Sequence, residues 1–541
     1  MEKNKSLNQK AKKAWNMSAY ALGDMLGGGV EMVLLTYYFA FLVYVVELDA
    51  FLAGFVIGIG KIWGGLFDPI MGMAVDRTRT RFGSCRPWFL ISVIPIFVSY
   101  FMLWYGFGID GMLAKFFYHT GIYIFFSSAV AVGNVPYEAL LPRMIEGYQE
   151  RTNFSSLRMV FSGIACVAST YIYEIIVPVT KTNPLSPAFT QNFITLGLVL
   201  GAMFALPLAI TFFGTKEKLK PAISEKLTLK AVFGEYREML SSKLYRKYYG
   251  LNLLGSFMSH SISSSIVIFI YLTYGNMHFG GISVGAAVLS MSLVFLVINL
   301  KGAVEIAFFV PNVMMMKKFN KHRPYLIDLP LLLAGAVTII FVTPSTPLWL
   351  FLIACCLLGA GVSCLGFVPT TLLPDLSDVD ELMYGKRREG VSAGLVTLGK
   401  KIVSGLSLII FGLVLTAFNF NVNVDEGAGM LPELVTAETL AAIKIMLAAI
   451  PIVCCIIMIV ISKSYGLNRE SHALIKHAIE EKKEKGFAEL GPDEIKTIEK
   501  ITGKKFEALW ISRPEIAPIT AERGENEESD DHLKAVQTAE A

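Results

Sequence analysis

GKIWGGLFDPIMGMAVDRTRTRFGSCRPW, which runs from Gly60 to Trp88, carries the clearest indication of this chain's architecture. It places an ionisable residue, Asp68, inside a glycine-rich and largely apolar segment, and a strongly basic loop follows at once. A carboxylate at membrane depth is costly unless it faces a polar cavity or finds a partner, so Asp68 indicates a functional site. The basic loop predicts that this end of the segment faces the cytoplasm.

The basic loop has a shorter counterpart later in the chain. KKFNKHRPY, from Lys317 to Tyr325, lies 237 residues further on, counted from Arg86 to Arg323. Both loops end in Arg-Pro-aromatic and lead directly into a new apolar segment. This repetition predicts two similar halves rather than one irregular bundle.

The composition predicts an all-α polytopic membrane protein. The 541 residues are 54% hydrophobic and 17% charged, whereas soluble domains carry about 25% charged residues. Apolar segments long enough to cross a hydrocarbon core of ~30 Å recur along the chain. We expect twelve spans, at residues 16–47, 51–76, 88–107, 114–143, 152–178, 190–213, 245–274, 283–314, 324–343, 347–375, 388–418 and 437–463.

The connections between these spans alternate in charge. Lysine and arginine cluster in the two termini and in every second loop, which predicts that both termini are cytoplasmic. We expect a tail at 1–15, a six-helix bundle at 16–213, a central loop at 214–244, a second six-helix bundle at 245–463 and a C-terminal tail at 464–541. The last segment is charged and partly helical and then acidic and disordered from residue 524. We expect it to be solvated, with a regulatory docking helix as the alternative.

The first two spans contain the acids best suited to a transport pathway. Asp68 can bind H⁺ or Na⁺, because desolvation and nearby cations act on a carboxylate in opposite directions. The alternative is a structural ion pair with Lys61 or with a loop arginine. Asp24 and Glu31 lie two helical turns apart and so on one face. The glycines at 27–29 between them either let a ligand approach or pack against a neighbouring helix.

Polar residues also cluster in the fourth and fifth spans. GNVPYEALLPRM places Asn134, Tyr137 and Glu138 within about one turn of a proline kink, which suits a hydroxyl-rich ligand. Arg158 lies in the fifth span, where it needs a counter-ion or an anionic ligand. The alternative for Arg158 is snorkelling to the cytoplasmic surface.

The second half contributes lysines. Lys301 and Glu305 are four residues apart and are expected to pair with each other. Thr397, Lys400 and Lys401 lie well inside an apolar segment. One of these lysines is expected to face the interior, where its ammonium group would compete with a cation for the field of Asp68; the alternative is a structural ion pair.

The sequence argues against an enzyme. It contains no phosphate-binding GxxxxGK[ST] motif, no HExxH and no CxxC. The seven cysteines are odd in number and lie mostly within apolar segments, as packing residues do. We expect no cofactor and no metal site, apart from Na⁺ at Asp68 as the alternative to a proton.

Several motifs together resemble one transporter family. They are ALGD at Ala21–Asp24, DPIMG at Asp68–Gly72, RTRFGSCRPW at Arg79–Trp88, NVPYEAL at Asn134–Leu140, ERTNFSSLRM at Glu150–Met159 and GKRREGVSAGLVTLGKK at Gly385–Lys401. Over residues 16–465 the chain resembles the glycoside–pentoside–hexuronide:cation symporter family, the melibiose-permease branch of the major facilitator superfamily.

The resemblance implies the major facilitator superfamily fold, alternating access, and symport of a sugar-like solute with a cation. By motif, Asp68 and Thr397 fall on cation-site positions. Arg158 falls on a sugar-contacting arginine and Lys401 on a central lysine. The family's sugar-binding acid of the first helix falls near Asp24.

The sequence also departs from the family pattern. A second cation-site aspartate is replaced by Gly64, a sugar-binding aspartate by Asn134, and a sugar-stacking tryptophan by Glu138. Sodium prefers several oxygen ligands, so a single remaining acid favours a proton. The loss of acids also favours an anionic solute such as a hexuronide.

We therefore predict a symporter that brings a sugar or sugar acid into the cell with H⁺, or alternatively with Na⁺. The alternatives are an importer of amphiphilic, lysolipid-like or other non-sugar solutes, and a membrane sensor that transports nothing. The expected partners are the solute, the cation and the lipid bilayer, with no nucleic acid. We expect a monomer in a cell membrane, specifically a bacterial inner membrane. The expected gate-loop residues are Arg77, Arg81, Arg86 and Arg387.

Overall fold

A computed structural model describes residues 2–106, 108–145, 148–177, 187–217, 229–274, 278–284, 287–418 and 437–512. These residues form two compact units. The smaller unit consists of Ser242–Leu244, Pro374–Arg388 and the described part of the tail from Gly466, and the larger unit contains the rest. The acidic segment from residue 524, most of the connection at 179–190 and the connection at 419–436 lie outside the described residues.

The larger unit contains the helices of both halves. In the first half they are α1 (Glu2–Leu22), α2 (Met25–Val33), α3 (Phe39–Tyr44), α4 (Ala50–Arg77), α5 (Arg86–Leu103), α6 (Met112–Met144), α7 (Tyr148–Ile176) and α8 (Pro187–Gly214). They are followed by α9 (Leu229–Met239), α10 (Lys243–Tyr274), α11 (Leu293–Lys318), α12 (Tyr325–Phe341), α13 (Leu348–Tyr384), α14 (Glu389–Ala417), α15 (Ala437–Lys444) and α16 (Ile450–Lys463).

Within the described residues, eleven helices are long and apolar enough to cross a membrane, and α12 is a shorter apolar helix of 17 residues. Together they correspond in order to the twelve expected spans. α1, α2, a π-helical segment at Leu34–Tyr38 and α3 make up the first span, and α15, a second π-helical segment at Ile445–Ala449 and α16 make up the last.

The eighth span begins later than the sequence predicts. A two-stranded antiparallel hairpin, β1 (His278–Val284) and β2 (Ala287–Ser292), precedes it, and α11 begins at Leu293 rather than at residue 283. The Ser292 side chain accepts a hydrogen bond from the backbone N–H of Phe295 at 3.1 Å. This N-cap satisfies a backbone donor that the first helical turn leaves unpaired, and so fixes the start of the helix. The central segment predicted as a loop at 214–244 likewise contains the helix α9.

Glycines bring the two halves into close contact along α4 and α14. A Cβ atom added to Gly405 would lie 2.6 Å from the carbonyl oxygen of Gly58, and one added to Gly58 would lie 2.9 Å from that of Gly405. Only glycine permits such an approach of two helix backbones. The contact places Asp68 on α4 opposite Lys401 on α14.

The first span is broken at its functional residue. α1 ends at Leu22 and α2 begins at Met25, so Asp24 lies at the break between them. Gly28 and Gly29 then pack against α7, where an added Cβ would overlap Ser162 and lie 3.2 Å from the carbonyl oxygen of Ala165. These glycines therefore serve helix packing, which was one of the two roles expected from the sequence.

Glu217 anchors the basic loop between α4 and α5. Its carboxylate accepts hydrogen bonds from the backbone N–H groups of Ser84, Cys85 and Arg86 at 2.8–3.0 Å, and from the Ser84 hydroxyl at 3.1 Å. A carboxylate at a helix N-terminus satisfies orphan donors and interacts favourably with the helix dipole. The loop is thereby attached to the segment that follows α8.

We expect Glu217→Ala to lower the free energy of unfolding by about 2 kcal/mol or more, because it leaves three N–H groups at this helix end without their acceptor. Thermal unfolding of the purified protein in detergent measures this loss. Glu217→Gln keeps one acceptor oxygen and should lose less. Equal melting temperatures for Glu217→Ala and the wild type would contradict this assignment.

The smaller unit joins the tail to the end of α13. The tail contains α17 (Arg469–Lys485) and α18 (Pro492–Thr502), followed by two short 3₁₀ turns. His472 approaches Asp378 at 2.9 Å and Lys483 approaches Glu381 at 2.6 Å. Charged residues of α17 thus pair with acids at the end of α13, and a regulatory role for this tail stays a prediction.

Candidate functional site

A cavity of about 410 Å³ opens among α2, α6 and α7. This volume is typical of small-molecule sites. Its polar lining residues are Asp24, Glu31, Asn134, Glu138, Arg158 and Ser162, and two glycines, Met32, Leu35 and Cys166 complete the lining.

Asp24 and Arg158 form the first acid–base pair of the site. Arg158 Nε lies 3.1 Å from Asp24 Oδ1, and the guanidinium lies over the Tyr137 ring at 5.4 Å. Arg158 therefore faces the cavity and pairs with an acid, rather than snorkelling to a surface. The break before α2 positions Asp24, and the Tyr137 ring positions Arg158.

Tyr137 lies behind the cavity and does not line it. Its ring stacks on Tyr20 with centroids 5.0 Å apart, and its hydroxyl donates to the carbonyl oxygen of Tyr20 at 2.9 Å. The sequence predicted a solute contact at this position. The buried ring packs against Tyr20 on α1 and lies beneath the Arg158 guanidinium, and the predicted solute contact stays a prediction.

Glu31 and Lys61 form a second pair at 2.5 Å. The Lys61 side chain is only 10% exposed, whereas that of Glu31 is 53% exposed and lines the cavity. The buried lysine thus holds a carboxylate that solutes can reach. Lys61 was an expected alternative partner of Asp68, but the two side chains do not pair.

Asp68 and Lys401 form the third pair, between the two halves. Lys401 Nζ lies 2.6 Å from Asp68 Oδ2. The second oxygen, Oδ1, is buried and accepts no hydrogen bond from the residues that the structure describes. A Cβ added to Gly64 would lie 3.8 Å from Lys401 Nζ, so a side chain here would adjoin the same ammonium group. Asp68 therefore supplies the carboxylate of this pair. Its Oδ1 atom has no hydrogen-bond donor among the described residues and is available to a proton or cation.

Some of the remaining predicted site residues line the cavity and others do not. Asn134 and Glu138 both line the cavity. Thr397 is exposed on α14, one turn before Lys401. In the second half, Lys301 and Glu305 pair with each other at 3.4 Å, as their spacing predicts.

The four predicted gate arginines each have different surroundings. Arg86 donates to the carbonyl oxygen of Phe212 at 2.7 and 3.1 Å, and Arg81 lies over the Phe82 ring. Arg77 is exposed at the end of α4. Arg387 belongs to the smaller unit, where it lies 3.2 Å from Asp378.

Sequence reasoning missed a further pair near the basic loop. Arg143, at the end of α6, donates to Asp76 Oδ1 at 2.8 Å and also contacts the Ser84 hydroxyl. The tertiary partners of Arg143 and Glu217 are far away in the sequence, so no local pattern could identify them. The Glu31–Lys61 pair had one signal in the sequence. A lysine, Lys61, lies inside an apolar segment seven residues before Asp68.

The family described as MFS/sugar transport protein matches residues 19–469. Among similar proteins, an uncharacterized symporter of Synechocystis sp. is 25% identical, covering 85% of this chain and 96% of that protein. The sodium-dependent lysophosphatidylcholine symporter 1 of Gallus gallus is 22% identical over 82% of this chain and 85% of its own length. The putative glycoside/cation symporter YagG of Escherichia coli is 30% identical, but over only 42% of this chain and 49% of that protein.

Solved structures show the same fold. The crystal structure of the nucleoside transporter NupG aligns with a TM-score of 0.59 and 11% identity, covering 83% of this chain and 99% of that chain. At this identity the likeness concerns the fold alone.

Proposed function

Because the chain belongs to the MFS/sugar transport protein family, we propose that it is a cation-coupled symporter that imports a sugar or sugar acid by alternating access. The solute is a glycoside, pentoside or hexuronide. The two six-helix halves rock around a central site, as is general for this architecture. The protein performs no covalent chemistry.

The observation that carries this proposal is the Asp68–Lys401 pair. It joins α4 of the first half to α14 of the second at 2.6 Å. A cation that binds Asp68 competes with the Lys401 ammonium group and weakens this link between the halves. Cation binding and movement of the halves are then one event, which is the requirement for coupling.

The coupling cation is H⁺ in preference to Na⁺. Sodium is best held by several oxygen ligands, whereas Asp68 offers a single free carboxylate oxygen and Gly64 supplies none. Thr397, one turn before Lys401 on α14, is the further oxygen that a sodium site would recruit.

A polyhydroxylated solute suits the cavity. Carboxylates, an amide, a hydroxyl and a guanidinium converge there, and such groups bind sugar hydroxyls through hydrogen bonds. Asp24, Asn134, Glu138 and Arg158 are the proposed contacts. The partial similarity to a putative glycoside/cation symporter supports the same solute class.

An amphiphilic solute is the second candidate. The lysophosphatidylcholine symporter of Gallus gallus matches most of this chain, and Met32 and Leu35 give the cavity an apolar side. A zwitterionic headgroup would occupy the charged pairs and an acyl chain would lie along the apolar side.

We place the protein as a monomer in a bacterial inner membrane, with both termini cytoplasmic. This orientation follows from the basic loops and the basic end of α4. Arg77, Arg81 and Arg86 then lie at the cytoplasmic face, where they gate access to the cavity.

Uptake into proteoliposomes tests the proposal. A neutral glycoside, a pentose, a hexuronate and lysophosphatidylcholine are each supplied with an imposed pH gradient or with an imposed Na⁺ gradient. We expect one of the sugars to accumulate when the pH gradient is imposed and to stop accumulating when a protonophore is added. Accumulation of lysophosphatidylcholine alone would establish the second candidate. Solute binding without uptake would identify a sensor.

A further inference from the structure

We propose that Glu138 makes the solute site select neutral or ammonium-bearing sugars and reject carboxylate-bearing ones. This inference rests on the proposed function and names the solute class of the same site. It excludes hexuronides, which the sequence alone favoured, from the proposed solute class.

Among the described residues that line the cavity, the cation is Arg158; it already has an acidic partner, as do the two lysines that interact with the lining acids. Arg158 pairs with Asp24 and Lys61 pairs with Glu31. Lys401 pairs with Asp68. A solute carboxylate would therefore have to displace one of these acids before it could bind a cation.

Glu138 is the acid left over. Its side chain is exposed to the cavity and forms neither a hydrogen bond nor an ion pair with any part of the chain that the structure describes. It interacts electrostatically with the Asp24–Arg158 pair on one side and the Asp68–Lys401 pair on the other. The described lining thus holds three carboxylates, Asp24, Glu31 and Glu138, against one cation, so it repels a further negative charge.

The coupling proton does not remove this selectivity. Protonation of Asp68 releases Lys401, and Glu138 is an unpaired carboxylate already within electrostatic range of that lysine. The charge of Glu138 offsets that of the released ammonium group without an ion pair between the halves, so a uronate gains no net attraction there. Replacing Glu138 by a neutral residue would leave Lys401 available in the protonated state. The same substitution should therefore admit uronates.

Glucose, glucosamine and glucuronate are suitable probes because glucose is neutral, glucosamine carries an ammonium group at C2 and glucuronate carries a carboxylate at C6. Their binding to the purified full chain is measured by thermal stabilisation, which rises with ligand concentration relative to Kd. We expect glucuronate to bind at least about tenfold more weakly than glucose, because juxtaposed like charges cost several kcal/mol. Glucosamine should bind at least as well as glucose.

Variants assign this selectivity to Glu138. Glu138→Gln should reduce the preference for glucose over glucuronate by about tenfold or more, whereas Glu138→Asp should keep it. Asn134→Asp adds a carboxylate one turn away and should reject glucuronate even more strongly. Glu438→Gln, at the exposed start of α15, is the matched control and should leave the preference unchanged.

Two results would overturn the inference while sugar symport stands. They are wild-type protein that binds glucuronate as well as glucose, and a preference that Glu138→Gln leaves unchanged. If Glu138→Gln does not fold, Asn134→Asp decides, and unchanged glucuronate binding in that variant counts against the proposal. If none of the three sugars binds, the proposed sugar transport and this inference fail together.

Discussion

Asp68→Asn should abolish accumulation of the solute against its gradient while solute exchange across the membrane continues. The substitution keeps the shape of the side chain but removes the charge that binds the coupling cation. Lys401 then loses its partner at 2.6 Å, and the halves are no longer linked through a site that a cation can occupy. Transport becomes an equilibration of the solute alone.

The size of this effect follows from the driving force. Moving one positive charge inward gains about 2.3 kcal/mol per 100 mV of membrane potential, which corresponds to about fifty-fold accumulation. We expect the accumulation ratio of Asp68→Asn proteoliposomes to fall to about one under the same potential. Counterflow of labelled solute, which needs no cation gradient, should remain measurable.

Two controls separate coupling from general damage. Asp110→Asn makes the same chemical change in an exposed loop and should accumulate solute normally. Asp68→Asn/Lys401→Gln removes the unpaired ammonium group as well. If stray positive charge were the cause of the defect, this double variant would recover accumulation; we expect it to stay uncoupled. Full accumulation by Asp68→Asn would refute the assigned role of Asp68.

The parts of this fold that local chemistry dictates could be predicted from the sequence. Long apolar segments have few alternatives to transmembrane helices, and the glycines around Gly58 predict the close approach of α4 to another helix. Asp68 in one apolar segment and Lys400 or Lys401 in another were expected to interact electrostatically. The observed proximity of Asp68 and Lys401 agrees with that expectation, and their roles in coupling stay predictions.

The parts that depend on tertiary pairing could not be predicted. The sequence left open whether Arg158 meets a counter-ion or an anionic solute, and it did not identify Asp24 as the partner found in the structure. Tyr137 belongs to the predicted polar cluster, yet its neighbours turn its hydroxyl to a backbone carbonyl. The hairpin before α11 also replaced expected helix. In each case a partner distant in the sequence decides which way a side chain or segment turns.

The Asp24–Arg158 pair should be required for solute binding as well as for stability. Breaking it by Asp24→Asn or Arg158→Gln should weaken solute binding by about a hundredfold, because truncating one partner of a desolvated pair costs 2–5 kcal/mol, as an approximate range. Each single variant should also melt at a lower temperature, since one charge remains without its counter-ion. Solute titration and thermal unfolding of the same preparations measure the two effects.

The double variant Asp24→Asn/Arg158→Gln distinguishes a binding pair from a structural one. With neither charge left uncompensated, its melting temperature should recover toward the wild type. Solute binding should not recover, because the groups that hydrogen-bond the solute are both gone. Lys301→Gln/Glu305→Gln is the matched control, since it removes an intramembrane pair that does not line the cavity. That control should retain solute binding. Recovery of binding in the Asp24/Arg158 double variant would mean that the pair only holds α2 against α7, and the solute contacts would then have to lie with Asn134 and Glu138.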